Sequence, residues 1–136
     1  MLISLTIAID TGILLGIFFQ ELNYRKKLEL IEKIGSKDRV ISVITIAEII
    51  SKIYKKDEND DIVVRITNLL GKMTDESNIM PVTKEIATLA GKLKSKYKFA
   101  LGDSIITATA IISGCDAILT EDQEFEKIEE IKVIRV

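Results

Sequence analysis

The chain has 136 residues, of which 47% are hydrophobic and 29% charged, so it is long enough for one domain with a substantial core and too apolar to be disordered. It contains no histidine, which excludes histidine general bases and Ser-His-Asp triads within this chain and argues against the usual zinc sites. The net charge of −2 is opposite in sign to that of most nonspecific polyanion binders, and the single cysteine excludes an internal disulfide. Any hydrolysis must therefore use carboxylates, hydroxyls, lysines or a metal.

The first 19 residues are nearly all apolar but do not have the pattern of a signal peptide or membrane anchor. They lack a basic start and a small-residue cleavage pattern. Asp10 lies at their centre, where a charge is costly in lipid. We therefore predict a buried strand from Leu5 to Ile9, followed by a turn at Asp10 and a helix from Ile13 to Phe19, in a cytoplasmic protein without a membrane segment.

The rest of the chain alternates between helical and strand periodicity. In chain order, the pattern first predicts a helix over Glu21–Ile34 that ends at Gly35, a strand over Arg39–Val43, and a helix with the apolar stripe Ile46, Ile49, Ile50 and Ile53. A polar connection over Lys55–Asp61 leads to a helix over Ile62–Met73, an edge strand over Asn78–Val82 and a helix capped by Thr83. The last part of the chain is predicted to form an uncharged helix over Ser104–Ser113, a strand over Ala117–Thr120, a turn over Gln123–Lys127 and a strand over Lys132–Val136. Strands that alternate with helices imply parallel pairing. The sequence thus predicts an α/β fold in a single domain over 1–136, with its site at the carboxyl ends of the strands.

Four acidic residues lie where a strand ends or a helix begins: Asp10, Glu48, Asp103 and Asp122. Carboxylates are costly beside core segments unless something pairs with them. Two carboxylates about 5 Å apart repel each other by roughly 3 kcal/mol at an effective dielectric of ~20. If the fold brings the four together, their natural partner is a hard divalent cation such as Mg²⁺ or Mn²⁺. Asp116 precedes the fourth strand, so we expect it at the opposite edge of the sheet.

Each of these acids also has a purely structural interpretation. Thr45 fits the N-cap of a capping box that Glu48 completes. Asp10 and Asp103 could each cap the helix that follows them, and Asp122 could cap the short turn after it. Separate caps do not explain why acids recur at the ends of the sheet.

Four stretches resemble the motifs of the PIN-domain family in order and spacing. They are Ile7-Ala8-Ile9-Asp10-Thr11, Thr45-Ile46-Ala47-Glu48-Ile49, the segment from Leu101 to Ala110, and Thr120-Glu121-Asp122-Gln123-Glu124-Phe125. The last matches a T-x-D-x-x-F pattern, and the resemblance extends from about Thr6 to Val136. Chain length and the acids are most similar to VapC-type toxins, the ribonuclease half of a toxin–antitoxin pair. Gly12 and the extension Met1–Ser4 depart from the pattern without affecting the acids.

The resemblance implies a three-layer sandwich with a central parallel five-stranded sheet in the order 3-2-1-4-5. It implies that the four acids are catalytic residues that bind Mg²⁺ or Mn²⁺, with Thr11 and Thr120 as supporting hydroxyls. The expected activity is metal-dependent hydrolysis of RNA phosphodiester bonds by water, which leaves a 5′-phosphate and a 3′-hydroxyl. The expected partners are an RNA substrate, a protein antitoxin and a second copy of the chain in a homodimer.

A series of lysines lies just before Asp103, and it has two interpretations. Lys92, Lys94, Lys96 and Lys98 could form a phosphate-binding rim, with Lys94, Lys96 and Lys98 as the RNA-binding candidates. Alternatively, they mark a solvated helix end, where lysines favour the negative end of the helix dipole.

Three other functions fit parts of the sequence. A phosphoacceptor signalling domain would need paired acids after strand one, an aspartate after strand three and a lysine after the last strand. Here the third strand ends in Pro81-Val82-Thr83 instead. A housekeeping RNA-processing nuclease would use the same acids, and a neighbouring antitoxin reading frame would favour the toxin instead. A non-catalytic RNA-binding or assembly module would keep the fold alone, so an activity assay separates it from an enzyme.

Overall fold

A parallel sheet flanked by helices forms the framework of the protein, and the computed structural model describes it over residues 5–136. In chain order the elements are β1 (Ile7–Ile9), α1 (Thr11–Phe18), α2 (Tyr24–Lys33), β2 (Arg39–Ser42), α3 (Val43–Tyr54), α4 (Asp60–Met73), β3 (Ile79–Met80), α5 (Lys84–Tyr97), α6 (Leu101–Ile112), β4 (Ala117–Thr120) and β5 (Lys132–Arg135). The extension Met1–Ser4 noted in the sequence lies outside the described residues, so the single domain over 1–136 stays a prediction.

The sheet has five strands in the order β3-β2-β1-β4-β5, and all neighbouring pairs are parallel. This confirms the α/β class and the predicted strand order. The two central strands, β1 and β4, are completely buried, as their continuous apolar sequences require. Strand β3 lies at an edge and ends directly before Pro81, which has no N–H to donate to a sheet.

Helices cover both faces of the sheet. Successive side chains of β1 point to opposite faces, and each face packs in its own apolar core. Ile7 and Ile9 pack in one cluster with residues of α1, α2, α3 and α4. Ala8 faces the other side, where it packs with Phe99, with Ala110 of α6 and with the segment after β4. Helices α5 and α6 share a further apolar cluster. The result is the three-layer arrangement predicted from the resemblance.

Arg39 connects three elements at the start of β2. Its Nε donates to the carbonyl oxygens of Ile31 (3.1 Å) and Ile34 (2.8 Å), and a terminal nitrogen donates to the carbonyl oxygen of Met73 (2.5 Å). These carbonyls lie at the C-terminal ends of α2 and α4, where helix carbonyls run out of intrahelical donors; that of Ile31 also accepts from the Ile34 N–H (3.0 Å). Arg39 therefore holds both helix ends against the strand that leads to the site.

Several helices begin at residues other than those predicted. Helix α4 begins at Asp60 rather than Ile62, and α6 begins at Leu101 rather than Ser104. Helix α1 begins at Thr11, directly after β1, rather than at Ile13. Helix α2 begins at Tyr24 rather than Glu21, because Asn23 adopts a left-handed conformation (φ 68°) that cannot continue a helix. Among residues 5–136, no helix combines the length and apolar character needed to span a membrane.

Candidate active site

An open pocket of about 800 Å³ lies at the carboxyl ends of β1 and β4. Its wall combines the start of α1, one face of α3, the first turn of α6 and the residues after β4. All four acids singled out in the sequence line it, together with a fifth carboxylate: Asp10, Glu48, Asp103, Asp122 and Glu121. Segments that are far apart in the sequence thus deliver carboxylates to one place.

Asp10 is the most deeply buried of these carboxylates, with 5% of its surface exposed. It occupies the N-cap position of α1, but its side chain makes no capping hydrogen bond, so the capping interpretation is wrong. Its Oδ2 instead accepts a hydrogen bond of 2.7 Å from Thr120 Oγ1. Desolvation by burial raises the pKa of Asp10 to about 7, with smaller contributions from the charges of Asp103 and Glu48, while the Thr120 hydrogen bond opposes the rise.

Glu48 is positioned by two threonines rather than by a capping box. Helix α3 is capped by Ser42, whose Oγ accepts from the backbone N–H of Ile44, so the prediction of Thr45 as N-cap is wrong. Thr11 Oγ1 donates to Glu48 Oε1 (2.7 Å) and lies 2.9 Å from the fully buried Thr45 Oγ1. Because Thr11 has only one hydroxyl proton and gives it to Glu48, Thr45 must donate to Thr11. A hydrogen-bond chain therefore runs from Thr45 through Thr11 to Glu48.

Asp103 lies in the first turn of α6 and does not cap it, because Ala100 holds the N-cap position. Its capping interpretation is therefore also wrong. The carboxylate is half-buried and faces other acids. Desolvation raises the pKa of Asp103 to about 6, and the charges of Asp122, Glu48 and Glu124 add to the rise.

Gly102 allows α6 to approach Glu48 closely. A Cβ on Gly102 would lie 2.6 Å from Glu48 Oε2, a separation that real contacts do not reach. Any side chain at this position would therefore displace the Glu48 carboxylate from the pocket. The glycine in Leu101-Gly102-Asp103 thus places two of the acids near each other.

Asp122 combines a capping role with a place in the pocket. Its Oδ1 accepts from the backbone N–H of Glu124 (2.9 Å), which caps the single turn over Gln123–Lys127 as one interpretation of the sequence predicted. Its own N–H donates to Thr120 Oγ1 (3.0 Å), and that hydroxyl in turn donates to Asp10. Thr120, the last residue of β4, therefore connects Asp10, which follows β1, with Asp122, which follows β4.

The structure adds an ion pair that the sequence did not suggest. Lys27 of α2 is 3% exposed, and its ammonium pairs with Glu121 in the pocket wall. Gly16 of α1 makes room for it, since a Cβ there would overlap the Lys27 ammonium. No local spacing connects Lys27 with Glu121, so sequence reasoning had no signal for this pair.

Three further polar residues of α3 line the pocket and were also missed: Ser51, Lys52 and Lys55. They follow Glu48 at intervals of three, four and seven residues, the spacing of one helical face. That spacing could have identified them from the sequence.

The predicted RNA-binding residues Lys94, Lys96 and Lys98 lie outside the pocket lining. Lys94 donates to the Phe99 carbonyl (2.9 Å), and Lys96 pairs with Glu130 (3.2 Å). Their role in RNA binding stays a prediction.

The donors of the pocket suit a hard divalent cation, because they are carboxylate and hydroxyl oxygens. Within the described part of the chain, no three acidic side chains are arranged closely enough to hold a metal ion as they stand. Mg²⁺ does not need such a cage, since it keeps several waters and binds proteins through one or two carboxylates. Burial and the neighbouring acids raise the pKa of Asp10 and of Asp103, and a cation bound between these carboxylates would offset both effects.

Fold and pocket together define a class of protein: a three-layer α/β domain with an acidic site at the carboxyl ends of its central parallel strands. The family model of the PIN domain matches residues 7–131, and the chain belongs to this family. The recognition made from the motifs is thereby confirmed.

Solved structures similar to this chain share the fold over nearly its whole length. A toxin–antitoxin complex from Klebsiella pneumoniae contains a chain with 26% identity and a TM-score of 0.70, with 93% of this chain and 94% of that chain covered. FitAcB from Neisseria gonorrhoeae has 19% identity and a TM-score of 0.77, with coverage of 95% and 96%. VapC20 of Mycobacterium tuberculosis, a toxin that cleaves the sarcin–ricin loop, has 13% identity and a TM-score of 0.72, with coverage of 93% and 98%. A search of curated proteins found no match to the sequence.

Proposed function

We propose that this chain is a metal-dependent endoribonuclease and the toxin component of a type II toxin–antitoxin pair. The observation that carries the proposal is the convergence of Asp10, Glu48, Asp103 and Asp122 on one pocket from four separate segments. Membership of the PIN-domain family supports nuclease chemistry. The similar chains from a toxin–antitoxin complex and from a toxin that cleaves the sarcin–ricin loop support the assignment as a toxin.

In this proposal Asp10 and Asp103 hold Mg²⁺ or Mn²⁺, with Glu48 and Asp122 beside them. When bound, the cation would offset the charge that builds on the phosphoryl oxygens and lower the pKa of water in the pocket. The chain itself supplies orientation. Thr120 fixes Asp10, and the chain from Thr45 through Thr11 fixes Glu48, as outer-shell hydrogen bonds do in metal sites generally.

The chemistry of the pocket favours water over the RNA 2′-hydroxyl as the nucleophile. The described pocket lining contains no imidazole that could activate the 2′-hydroxyl, and its carboxylates are suited to hold a divalent cation. Such a cation, when bound, would lower the pKa of water in the pocket, so that water could act as the nucleophile. The products would then carry a 5′-phosphate and a 3′-hydroxyl.

Cleavage of RNA with and without a divalent cation tests the proposal. We expect the purified chain to cut RNA in Mg²⁺ or Mn²⁺, to lose activity in EDTA, and to regain it when the cation is restored. Mass spectrometry of the fragments should show 5′-phosphates. Cyclic phosphates, or full activity in EDTA, would contradict the mechanism.

The proposed partners are an RNA substrate, a small protein antitoxin and a second copy of the chain, in the cytoplasm. Expression of the chain alone would then arrest growth, and co-expression of the neighbouring antitoxin would restore it. Cleavage without growth arrest would instead favour a housekeeping RNA-processing nuclease. A chain that binds RNA and never cuts it would be the non-catalytic module.

The buried hydroxyl of Thr45 should matter for activity although it does not face the pocket. Thr45→Val removes the donor to Thr11 and keeps the side chain's size, so Glu48 loses its fixed orientation. We expect kcat/KM for RNA to fall by about 10- to 100-fold, the usual effect of losing an outer-shell partner. The fall should lie mainly in kcat, because binding of the rest of the RNA is unchanged.

Thr45→Ser is the matched control, since it keeps the hydroxyl and should restore most of the activity. Both variants should unfold cooperatively, as thermal melts followed by circular dichroism would show. Equal activity of the valine and serine variants would refute the role of the Thr45–Thr11–Glu48 chain.

A further inference from the structure

The positive charges of the pocket lining come from one face of α3. Lys52 and Lys55 follow Glu48 by four and seven residues, so all three lie on the same side of the helix. Both lysines are exposed. The ion pairs found between residues 5 and 136 involve neither of them. Their ammonium groups are therefore available to an anionic ligand in the pocket.

The positive charges of Lys52 and Lys55 make this face of α3 the part of the pocket that is best suited to contact a polyanion. Five carboxylates also line the pocket, four of them outside α3, and they repel phosphates; a cation bound among them would offset only part of that charge. Lys27, which lies behind the pocket wall, is buried and already paired with Glu121. Among the described residues that line the pocket, the unpaired positive charge thus lies on the α3 side.

The same face continues into a second pocket of about 570 Å³. The two pockets share Ala47, Ser51 and Lys55, so they form one groove along α3. Tyr54 lines the second pocket with 36% of its surface exposed, and its hydroxyl donates to Asp60 Oδ1 (3.1 Å). That hydrogen bond restrains the ring. Glu58, which also lines this pocket, contributes one carboxylate to its far part.

We propose that single-stranded RNA leaves the acidic pocket along α3, with its phosphates on Lys52 and Lys55 and a base stacked on Tyr54. Lys52 and Lys55 are three residues apart, about 4.5 Å along a helix, so they can contact one phosphate or two neighbouring ones. Stacking on an aromatic ring requires an unstacked base, which single strands and loops supply and duplexes do not. This inference rests on the proposed function and adds the path of the RNA strand and the residues of this chain that bind it beside the cut.

Salt-dependent binding tests the lysines. The Lys52→Gln/Lys55→Gln pair is made in an Asp103→Asn background, so that a labelled single-stranded oligonucleotide is bound and not cut. Each phosphate contact to a single strand contributes about 0.7 to the steepness of log affinity against log salt concentration. Loss of two contacts should therefore make the slope shallower by about 1.4. At about 0.1 M salt this corresponds to roughly 25-fold weaker binding. The control Lys33→Gln/Lys72→Gln changes the net charge equally outside both pockets and should leave the slope unchanged.

Two outcomes would overturn the lysine contacts. One is an equal loss in the control pair, which would show a general charge effect. The other is a larger loss when Lys94 and Lys98 of the α5 region are replaced instead, which would place the RNA on that rim.

Tyr54→Ala tests the stacked base. We expect about 10-fold weaker binding of single-stranded RNA. Tyr54→Phe keeps the ring and should bind RNA nearly as the parent does. An oligonucleotide that lacks the base at the stacking position should bind the alanine variant and its parent equally. An unchanged affinity of Tyr54→Ala for the intact RNA would remove Tyr54 from the groove.

A dinucleotide substrate separates this inference from the proposed function. Its single phosphodiester fills the acidic pocket but does not extend along α3. If the chain cuts the dinucleotide and the lysine pair binds long RNA as tightly as its parent, the groove is wrong and the nuclease stands. If the lysines control RNA binding but neither the dinucleotide nor long RNA is cut, the nuclease is wrong and the groove stands.

Discussion

Asp103→Asn should reduce kcat/KM for RNA cleavage by about 10³-fold or more, which is the scale seen when a charged group of a catalytic unit is removed. Asparagine keeps the size of the side chain but not the charge that would hold a divalent cation. The fold does not depend on that carboxylate, since it makes no capping bond and Thr107 Oγ1 donates to the backbone carbonyl of Asp103. Activity should therefore be lost without loss of structure.

The melting temperature provides the second readout for this variant. Burial and the charges of Asp122, Glu48 and Glu124 raise the pKa of Asp103, so its ionised form is unfavourable in the folded state. Without a divalent cation at pH 8, Asp103→Asn should melt at the same temperature as the parent or higher. A lower melting temperature would mean that the carboxylate serves the fold.

Asp116→Asn is the matched control for activity. Asp116 lies at the opposite edge of the sheet, where its Oδ2 accepts from the backbone N–H of Thr6 (2.8 Å), and asparagine can still accept that bond. We expect its kcat/KM to stay within about twofold of the parent, as for surface changes away from a site. If kcat/KM of Asp103→Asn lies within tenfold of that of Asp116→Asn, Asp103 is not a catalytic residue.

The parts of this fold that could be predicted from sequence are those that depend on short segments. Strand β4 was predicted with its observed bounds because Ala117–Thr120 is a buried apolar run between polar turns. The edge position of β3 followed from Pro81. The placement of Asp10 and Asp122 followed from a general property of parallel sheets, whose strands end at a common edge. That of Glu48 and Asp103, which lie on helices, came from the family resemblance. The strand order itself came from the family resemblance.

The errors arose where local patterns have two solutions. Thr45 and Glu48 fit a capping box, but β2 passes directly into α3 and Ser42 becomes the cap three residues earlier. A buried lysine such as Lys27 has the same sequence signature as a solvated one, because its partner Glu121 is distant in the chain. The lysines that line the pocket, Lys52 and Lys55, were missed for a different reason, because their charges alone do not distinguish a pocket face from a solvated one.

Asp10→Asn should stabilise the protein at alkaline pH when no divalent cation is present. The pKa of Asp10 is about 7 in the folded protein, against an ordinary value of 3.8. Below about pH 4 the carboxyl is protonated in both states and costs nothing. As the pH rises towards 7, the unfolded chain ionises freely while the folded one keeps its proton, so the free energy of unfolding falls. Above about pH 7 the carboxyl is ionised in both states, and the free energy of unfolding falls no further on account of Asp10.

The gap between 3.8 and about 7 corresponds to at most roughly 4 kcal/mol, at about 1.4 kcal/mol per pKa unit. Asparagine cannot ionise, and its side-chain oxygen can still accept the Thr120 hydrogen bond. We therefore expect the melting temperature of Asp10→Asn in EDTA at pH 8 to exceed that of the parent by on the order of 10 °C. The two proteins should melt at similar temperatures near pH 4.

Added Mg²⁺ or Mn²⁺ should reduce or abolish this difference in melting temperature. A cation that binds only the folded state stabilises it in proportion to the logarithm of its concentration over Kd. The parent should gain melting temperature at pH 8 in millimolar metal, and Asp10→Asn should gain much less because it lacks a ligand. Calorimetry across pH, with Asp116→Asn as the variant that removes a carboxylate elsewhere, measures both effects. If Asp10→Asn is less stable than its parent in EDTA at pH 8, the carboxylate stabilises the fold by itself, and the cost of burying it no longer implies a cation.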